Sequence, residues 1–525
     1  MNIPVDFFRD EVRCGFRVPT AIKQAWAAQL TVLHEIDRIC EGHGISYFAE
    51  WGTLLGAVRH RGFIPWDDDL DIGMKREDYI RFRKVADREL PEGYVIHDFE
   101  RQEGHWLFLA RVVNRRHFSF DPGELTRWHN YPWLAGIDIF ILDYRYRDPE
   151  KEIARGRDTL RLIALADAIV QQRIDASKAQ SGLDGVREQY GEEFKCPEKD
   201  ASARDIGVAL YGLAQKQMAR CPREESDRLV QLFPWGLKGA EGLPKEWYDR
   251  TVRIPFEFTD IPVPAVYSDI LTNRYGRSWM EIRKVWGGHD YPSFEGQKEN
   301  LRRIADFELP GFSYRPGMGN VRDVEKKPAG REISVLFLPV GEREWTGMRP
   351  YYDSLISKGN TRIMVVPLPV FKKNALGEIE ASDEEMFLAD HYADYPSDLP
   401  MERWYDLDPS RERWDIIVIQ DPYDAENPCL TIPPVFYSSE LLKYTRQLVY
   451  IPSFVTDEIG DNDRNDLYNL KHYVTAPGVI NADRVIVQSE NIRRRYIDAL
   501  TAFAGEETGA KWEHKVQSFI ATEEI

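Results

Sequence analysis

The sequence predicts two domains of different class: an α+β domain whose sheet carries carboxylates, then an α/β domain built on a parallel sheet. Three observations predict this. The stretch from Trp51 to Met74 runs from a glycine turn into a helix and then into a segment studded with acids. A second acid-bearing strand, Ala135 to Asp143, is apolar on both sides of Asp138. Past residue 331, short runs rich in β-branched residues alternate with helical segments, the pattern of a doubly wound sheet.

Taken in order, Thr20 to Glu41 follows Pro19 and sets Ile22, Trp26, Leu30, Leu33 and Ile36 near helical spacing, with Gly42 and Gly44 to end the helix. Ile45 to Phe48 reads as a strand end, and Thr53 opens a helix after Gly52. A turn around Gly62 and Pro65 leads to Asp67-Asp68-Asp69-Leu70-Asp71. Strand alternation places Asp67, Asp69 and Asp71 on one face. Carboxylates that close repel unless a cation neutralises them, and Mg²⁺ (or Mn²⁺) bridging to substrate phosphate is the natural neutraliser. Free N–H groups of Gly52 and Thr53 at a helix start suit phosphate. Arg76 to about Arg88 is helical; Tyr94 to Phe99 and Trp106 to Val113 are strands. Asp138 in its apolar strand is costly without a partner, which a metal shared with Asp69 and Asp71 would supply. Asp143, at the expected strand end, reads as a turn or capping residue. Pro149 to about Gln180 and Ala203 to Arg220 are helical and architectural. Tyr314 to Gly330 is rich in glycine, proline and charge, which sets the expected domains at 1–314 and 331–525 with a linker at 315–330. Strands follow at Glu332 to Pro339, Arg362 to Pro369, Trp414 to Gln420, Gln447 to Pro452 and Arg484 to Gln488, with helices at Met348 to Lys358 and Ser439 to Arg446. No Gly-x-Gly-x-x-Gly turn follows the first of these strands, so no dinucleotide site is expected.

The stretch GTLLGAVRHRGFIPWDDDLDI resembles the signature of the LicD family, phosphotransferases on the nucleotidyltransferase fold. Further similarity lies in Arg13-Cys14-Gly15-Phe16, Leu243 to Trp247, Ile254 to Glu257, Tyr275-Gly276 and Gly288-His289-Asp290-Tyr291-Pro292, so the resemblance spans roughly residues 10 to 305. The family pattern has a Gly-Gly/Ser turn where this chain has Gly52-Thr53. The resemblance implies a nucleotidyltransferase-like catalytic domain with Asp69, Asp71 and Asp138 as the catalytic acids. It also implies transfer of phosphocholine from CDP-choline to a cell-surface or teichoic-acid-like glycan. A second resemblance, carried by Asp483-Arg484-Val485-Ile486-Val487-Gln488-Ser489-Glu490, is to the Rossmann-like N-terminal half of CDP-glycerol glycerophosphotransferases. It implies a module that binds acceptor or assembles, and a rival donor, CDP-glycerol or CDP-ribitol.

Composition bounds these readings. Hydrophobic content of 43% and charged content of 30% are those of a globular protein, and 525 residues suffice for several cores. A net charge of −18 argues against nonspecific nucleic-acid or anionic-membrane binding. Five cysteines without a Cys-x-x-Cys pair indicate neither a zinc site nor a disulfide framework, and favour a reducing, cytoplasmic setting. The N-terminus lacks a signal-peptide pattern, and no run approaches the roughly 18 apolar residues of a membrane span. Association with a membrane would come through a lipid-linked glycan acceptor.

In the expected chemistry Asp69 and Asp71 hold the metal against the diphosphate. Asp138 completes the set or deprotonates the attacking hydroxyl, and Asp67 is a further ligand. Arg59, His60 and Arg61 are placed to grip phosphate; the bland alternative is a surface ion pair. His289 is a nucleotide or acceptor contact, or a structural hydrogen-bonding residue. For a quaternary ammonium, selectivity rests on aromatic faces, for which Trp106, Trp128, Tyr131 and Trp133 are the candidates and Trp51 and Trp66 the alternatives. The rivals of other classes are a nucleotidyltransferase releasing pyrophosphate and a non-catalytic scaffold.

Overall fold

The computed structural model describes all residues except 102–104, 106, 196, 198–200, 233–240, 285–302, 304–310, 323–330, 341–344, 381–394 and 520–525. The expected linker beyond residue 322, together with His289 and Trp106, therefore lies outside the described residues.

The chain opens with a hairpin, β1 (Glu11–Arg13) and β2 (Phe16–Val18), and helix α1 (Thr20–His43). Then follow β3 (Phe48–Ala49), α2 (Trp51–Arg59), β4 (Asp71–Lys75), α3 (Arg76–Glu89), β5 (Val95–His97), β6 (Ala110–Val113), α4 (Pro122–Arg127) and β7 (Gly136–Tyr146). Helices α5 (Pro149–Val170), α6 (Ala176–Tyr190) and α7 (Ala203–Met218) lead to β8 (Ser226–Gln231), β9 (Leu243–Pro244), the hairpin β10 (Thr251–Phe256) and β11 (Thr259–Pro264), and α8 (Tyr267–Tyr275).

The chain divides into two compact units. The first comprises Met1, Ala28–Phe118 and Trp133–Arg283; the second comprises Asn2–Ala27, Ser119–Pro132 and Lys284–Ile525. The first unit holds a mixed sheet in the order β3-β4-β7-β6-β5, extended by β8 on β7 and β9 on β8. Its long strand β7 is central, because it pairs parallel with β4 and antiparallel with β6 and β8. It runs three residues past the expected end at Asp143. Arg76 explains why: its Nε and Nη2 donate to the Asp143 carboxylate at 2.8 and 2.7 Å, so an acid that is 1% exposed sits inside a strand rather than in a turn. The single helix expected over 149–180 is two helices, broken near Gln172, which has φ +53°.

The second unit carries β12 (Ile333–Leu338), α9 (Trp345–Lys358), β13 (Thr361–Val365), β14 (Phe371–Lys372), β15 (Trp414–Ile419), β16 (Leu430–Thr431), α10 (Ser438–Leu441) and β17 (Thr445–Tyr450). Helices α11 (Arg464–Val474) and α12 (Pro477–Asn481) lead to β18 (Arg484–Val487), α13 (Glu490–Ala504), α14 (Gly509–Lys515) and β19 (Val516–Ser518). Six strands form an all-parallel sheet in the order β13-β12-β15-β17-β18-β19. Alternate residues enter two cores, Leu336, Ile417 and Leu448 on one face and Val335, Val418 and Val449 on the other. Both faces are covered, as a parallel sheet requires. The helix expected over Ser439 to Arg446 stops at Leu441, and β17 takes over from Thr445.

The expected boundary at 315–330 does not separate these units, since the second begins at Lys284 and includes Asn2–Ala27. Tyr314 and Met318 pack on its core, and the Arg322 guanidinium grips Asp483, so the described part of the expected linker is built into the unit. At the other end, Arg17 donates to Asp10 at 2.6 Å and stacks 3.7 Å from the Tyr473 ring, which fastens the N-terminal hairpin to α11. Among the described residues no helix is long and apolar enough to cross a membrane.

Candidate functional site

The acids meet because β4 and β7 are parallel neighbours with Asp71 paired to Asp138, which sets both side chains at one height on one face. Strand β4 begins only at Asp71, so Asp67 and Asp69 lie in the extended approach to it rather than in the strand, as alternation alone suggested. Carboxylate oxygens of Asp67, Asp68 and Asp69 fall within 4.8 Å of one another. Burial, then the charges of Asp69, Asp138, Asp67 and Glu50, push the Asp71 carboxyl well above the usual carboxylate range. A set of hard oxygen donors that repel one another is the chemistry a divalent cation relieves, and these acids fit one.

Helix α2 braces the cluster. The Thr53 hydroxyl accepts the Asp71 backbone N–H at 2.7 Å, which ties the helix to β4. A Cβ on Gly52 would stand 2.8 Å from Asp67 Oδ2, so only glycine lets that carboxylate approach. Gly73 is equally confined, with Phe48 and the Glu50 Cγ (2.6 Å) where its Cβ would be. Trp51 opens α2 at φ +43°, a region a bulky residue enters only when neighbours hold it. Its indole N–H donates to Gln231 Oε1 at 3.0 Å, and Arg274 lies 4.3 Å over its ring.

Three further charged residues belong to the site, and only Arg111 carries a mark in the local sequence. Arg111, opposite Asp138 on β6, grips both oxygens of that carboxylate, with Nη2 to Oδ2 at 2.8 Å. This bond, with further help from Asp138, Asp71 and Asp69, holds the Arg111 guanidinium above its ordinary value. Glu50 is fully buried and paired with Arg274, which also donates to the Tyr248 hydroxyl at 3.3 Å. An arginine inside the apolar run Ala110-Arg111-Val112-Val113 was the one available signal for Arg111.

The remaining expected residues divide. Asp67, Asp69, Asp71 and Asp138 come together, with Gly52 and Thr53 beside them. Arg59 donates to His60 at 2.9 Å and to the carbonyls of Trp279 and Glu281 at 3.2 and 3.0 Å. Arg61 is exposed at φ +58°, its carbonyl accepting from the Glu257 N–H at 2.7 Å. Trp128 and Tyr131 belong to the second unit, 1% and 2% exposed. Trp133, in the first, is 6% exposed and 5.9 Å from the Phe118 ring. Shut into cores, these three rings present no open face for an ammonium.

Residues 44–146 match the LicD/FKTN/FKRP nucleotidyltransferase domain family. The lipopolysaccharide cholinephosphotransferase LicD of Haemophilus influenzae is 49% identical over 253 residues, 47% of this chain and 87% of that protein. The ribitol 5-phosphate transferases FKRP of mouse and human are each 50% identical over 40 residues, 8% of this chain and 8% of each relative.

Proposed function

The chain belongs to the LicD family and is a transferase of phosphate-containing groups; from this premise we propose that it transfers phosphocholine from CDP-choline to a hydroxyl of a cell-surface or teichoic-acid-like glycan, releasing CMP. The observation that carries this reading is the register of Asp71 with Asp138, with Asp69 and Asp67 brought against them. Asp69, Asp71 and Asp138, with Asp67, would hold Mg²⁺ or Mn²⁺. When bound there, the ion would supply charge neutralisation for a diphosphate.

The protein's own groups do the positioning. The Arg111 fork fixes the Asp138 carboxylate in one orientation, and the Thr53 hydroxyl fixes the backbone of Asp71. Backbone N–H groups at the start of α2 face phosphate, and one of the clustered carboxylates takes the proton of the attacking hydroxyl. Titration of the full chain with CDP-choline, CDP-glycerol and CDP-ribitol in the presence of Mg²⁺ tests the donor. Tightest binding of CDP-choline supports the proposal.

A second reading keeps the chemistry and changes the donor to CDP-ribitol or CDP-glycerol. The match to the FKRP ribitol 5-phosphate transferases favours it, as does the burial of Trp128, Tyr131 and Trp133. Tighter binding of either polyol donor than of CDP-choline would establish this reading in place of the first.

A further inference from the structure

The first unit holds a cavity of about 460 Å³, walled by Trp51, Leu142, Arg228, Gln231, Asn273 and Arg274 among others. Leu142 lies on the same face of β7 as Asp138, four residues on, so the cavity opens about 13 Å along the strand from that carboxylate. Trp51, which lines it, immediately precedes Gly52, the residue that lets Asp67 approach.

The chemistry of the walls is specific. Gln231 is 8% exposed; its Oε1 accepts the Trp51 indole N–H, and its buried amide nitrogen has no partner among the described residues. A buried donor left unpaired is costly, and a ligand oxygen would relieve it. The two guanidiniums are already engaged: Arg274 with Glu50 and the face of Trp51, Arg228 with the Gly242 carbonyl at 2.8 Å. Arg228 shares the wall with Glu241, and Arg274 is paired with Glu50, so the lining offers no surplus charge of either sign to select a diphosphate or an ammonium. A neutral ligand rich in hydroxyls suits an amide donor, the exposed Asn273 and an indole edge. To sit here and still reach the acids it must be longer than one sugar ring.

We propose that this cavity is the seat of a neutral oligosaccharide, the part of the glycan acceptor that trails the reacting hydroxyl, with the Gln231 amide as its principal hydrogen-bond donor. The proposal rests on the glycan-directed reading of the acid cluster, but its test does not require turnover. Saturation-transfer NMR on the full chain with lactose, maltose and diacetylchitobiose, and with glucose as the short control, reads binding directly. The expected result is transfer to at least one disaccharide, weaker transfer to glucose, and at least a fivefold loss with Gln231→Leu. Gln231→Glu keeps the acceptor for the Trp51 indole while removing the donor, so it should lose binding in the same way with the fold intact. Transfer to none of the disaccharides, or equal transfer to wild type and both variants, would overturn the assignment. CDP-choline titrated against the same three proteins separates the two ideas. Unchanged donor affinity in the variants localises the loss to the sugar, and equal loss of donor affinity would make the cavity a donor site. Failure of the wild type to bind any CDP donor would remove the donor reading and leave the cavity result standing.

Discussion

Asp71 gains its setting from neighbours that the sequence places near and far. Asp69 and Asp67 are two and four residues away, and an acid run interrupting apolar residues made them legible. Asp138 was legible for the same reason, as a lone charge in an apolar strand. Glu50 and Arg274 were not, since 224 residues separate the partners and nothing local marks either. Asp69→Asn or Asp71→Asn should abolish turnover while leaving circular dichroism unchanged, and relief of repulsion should hold the metal-free melting temperature at or above the wild-type value. Arg111→Ala frees Asp138 to rotate and should lower kcat by about 10–100-fold, the usual effect of losing a group that orients a metal-binding side chain; Arg111→Lys, without the planar fork, should recover only part. Above neutral pH another residue contributes to the pH response of stability. Burial pushes the Lys515 ammonium down to about 7, although its Nζ donates to the Ile480 carbonyl. Between about pH 7 and the ordinary lysine value the unfolded chain holds the extra proton, so stability rises with pH across that window. Melting curves should shift upward from pH 7 to pH 9, and Lys515→Met should flatten the shift.

At the scale of elements, β4, β7 and α2 act as one piece. Gly73→Ala forces a methyl into Phe48 and Glu50 and should cost about 1–3 kcal/mol, read from denaturant midpoints. Gly73 looked ordinary in the sequence because its constraint comes from residues on β3 and its turn, not from its own φ. The parallel sheet of the second unit was legible because strands buried on both faces read as continuous apolar runs, as in Ile333 to Leu338. Element ends were less so. Asp143 looked like a stop signal until Arg76 supplied its counter-charge, and Ser438–Leu441 ends early because Thr445 is claimed by β17. The aromatic residues before β7 are candidates for an ammonium site in the sequence, but Trp128 and Tyr131 are buried within the second unit.

Over the whole molecule, the order of the sequence and the order of the units differ. A boundary near residue 315 follows from glycine, proline and charge content, whereas the second unit also claims Asn2–Ala27. Arg17 shows the cause: 3% exposed, it is paired with the nearly buried Asp10 and stacked on Tyr473, contacts no local pattern reveals. Arg17→Ala leaves the Asp10 charge without its partner and should destabilise the second unit by about 3–5 kcal/mol, measured by urea unfolding. A fragment starting at residue 331 should be less stable than the full chain for the same reason. The central claim is that the clustered acids support transfer of a substituted phosphoryl group from a CDP donor. Its most direct test is the identity of the nucleotide product when the full chain, Mg²⁺ and CDP-choline are incubated with a cell-envelope glycan fraction. The account predicts CMP in step with choline phosphate on the glycan, and neither product with Asp71→Asn. No CMP release from CDP-choline alongside pyrophosphate release in a parallel incubation with CTP, or undiminished CMP with both Asp69→Asn and Asp71→Asn, would contradict it.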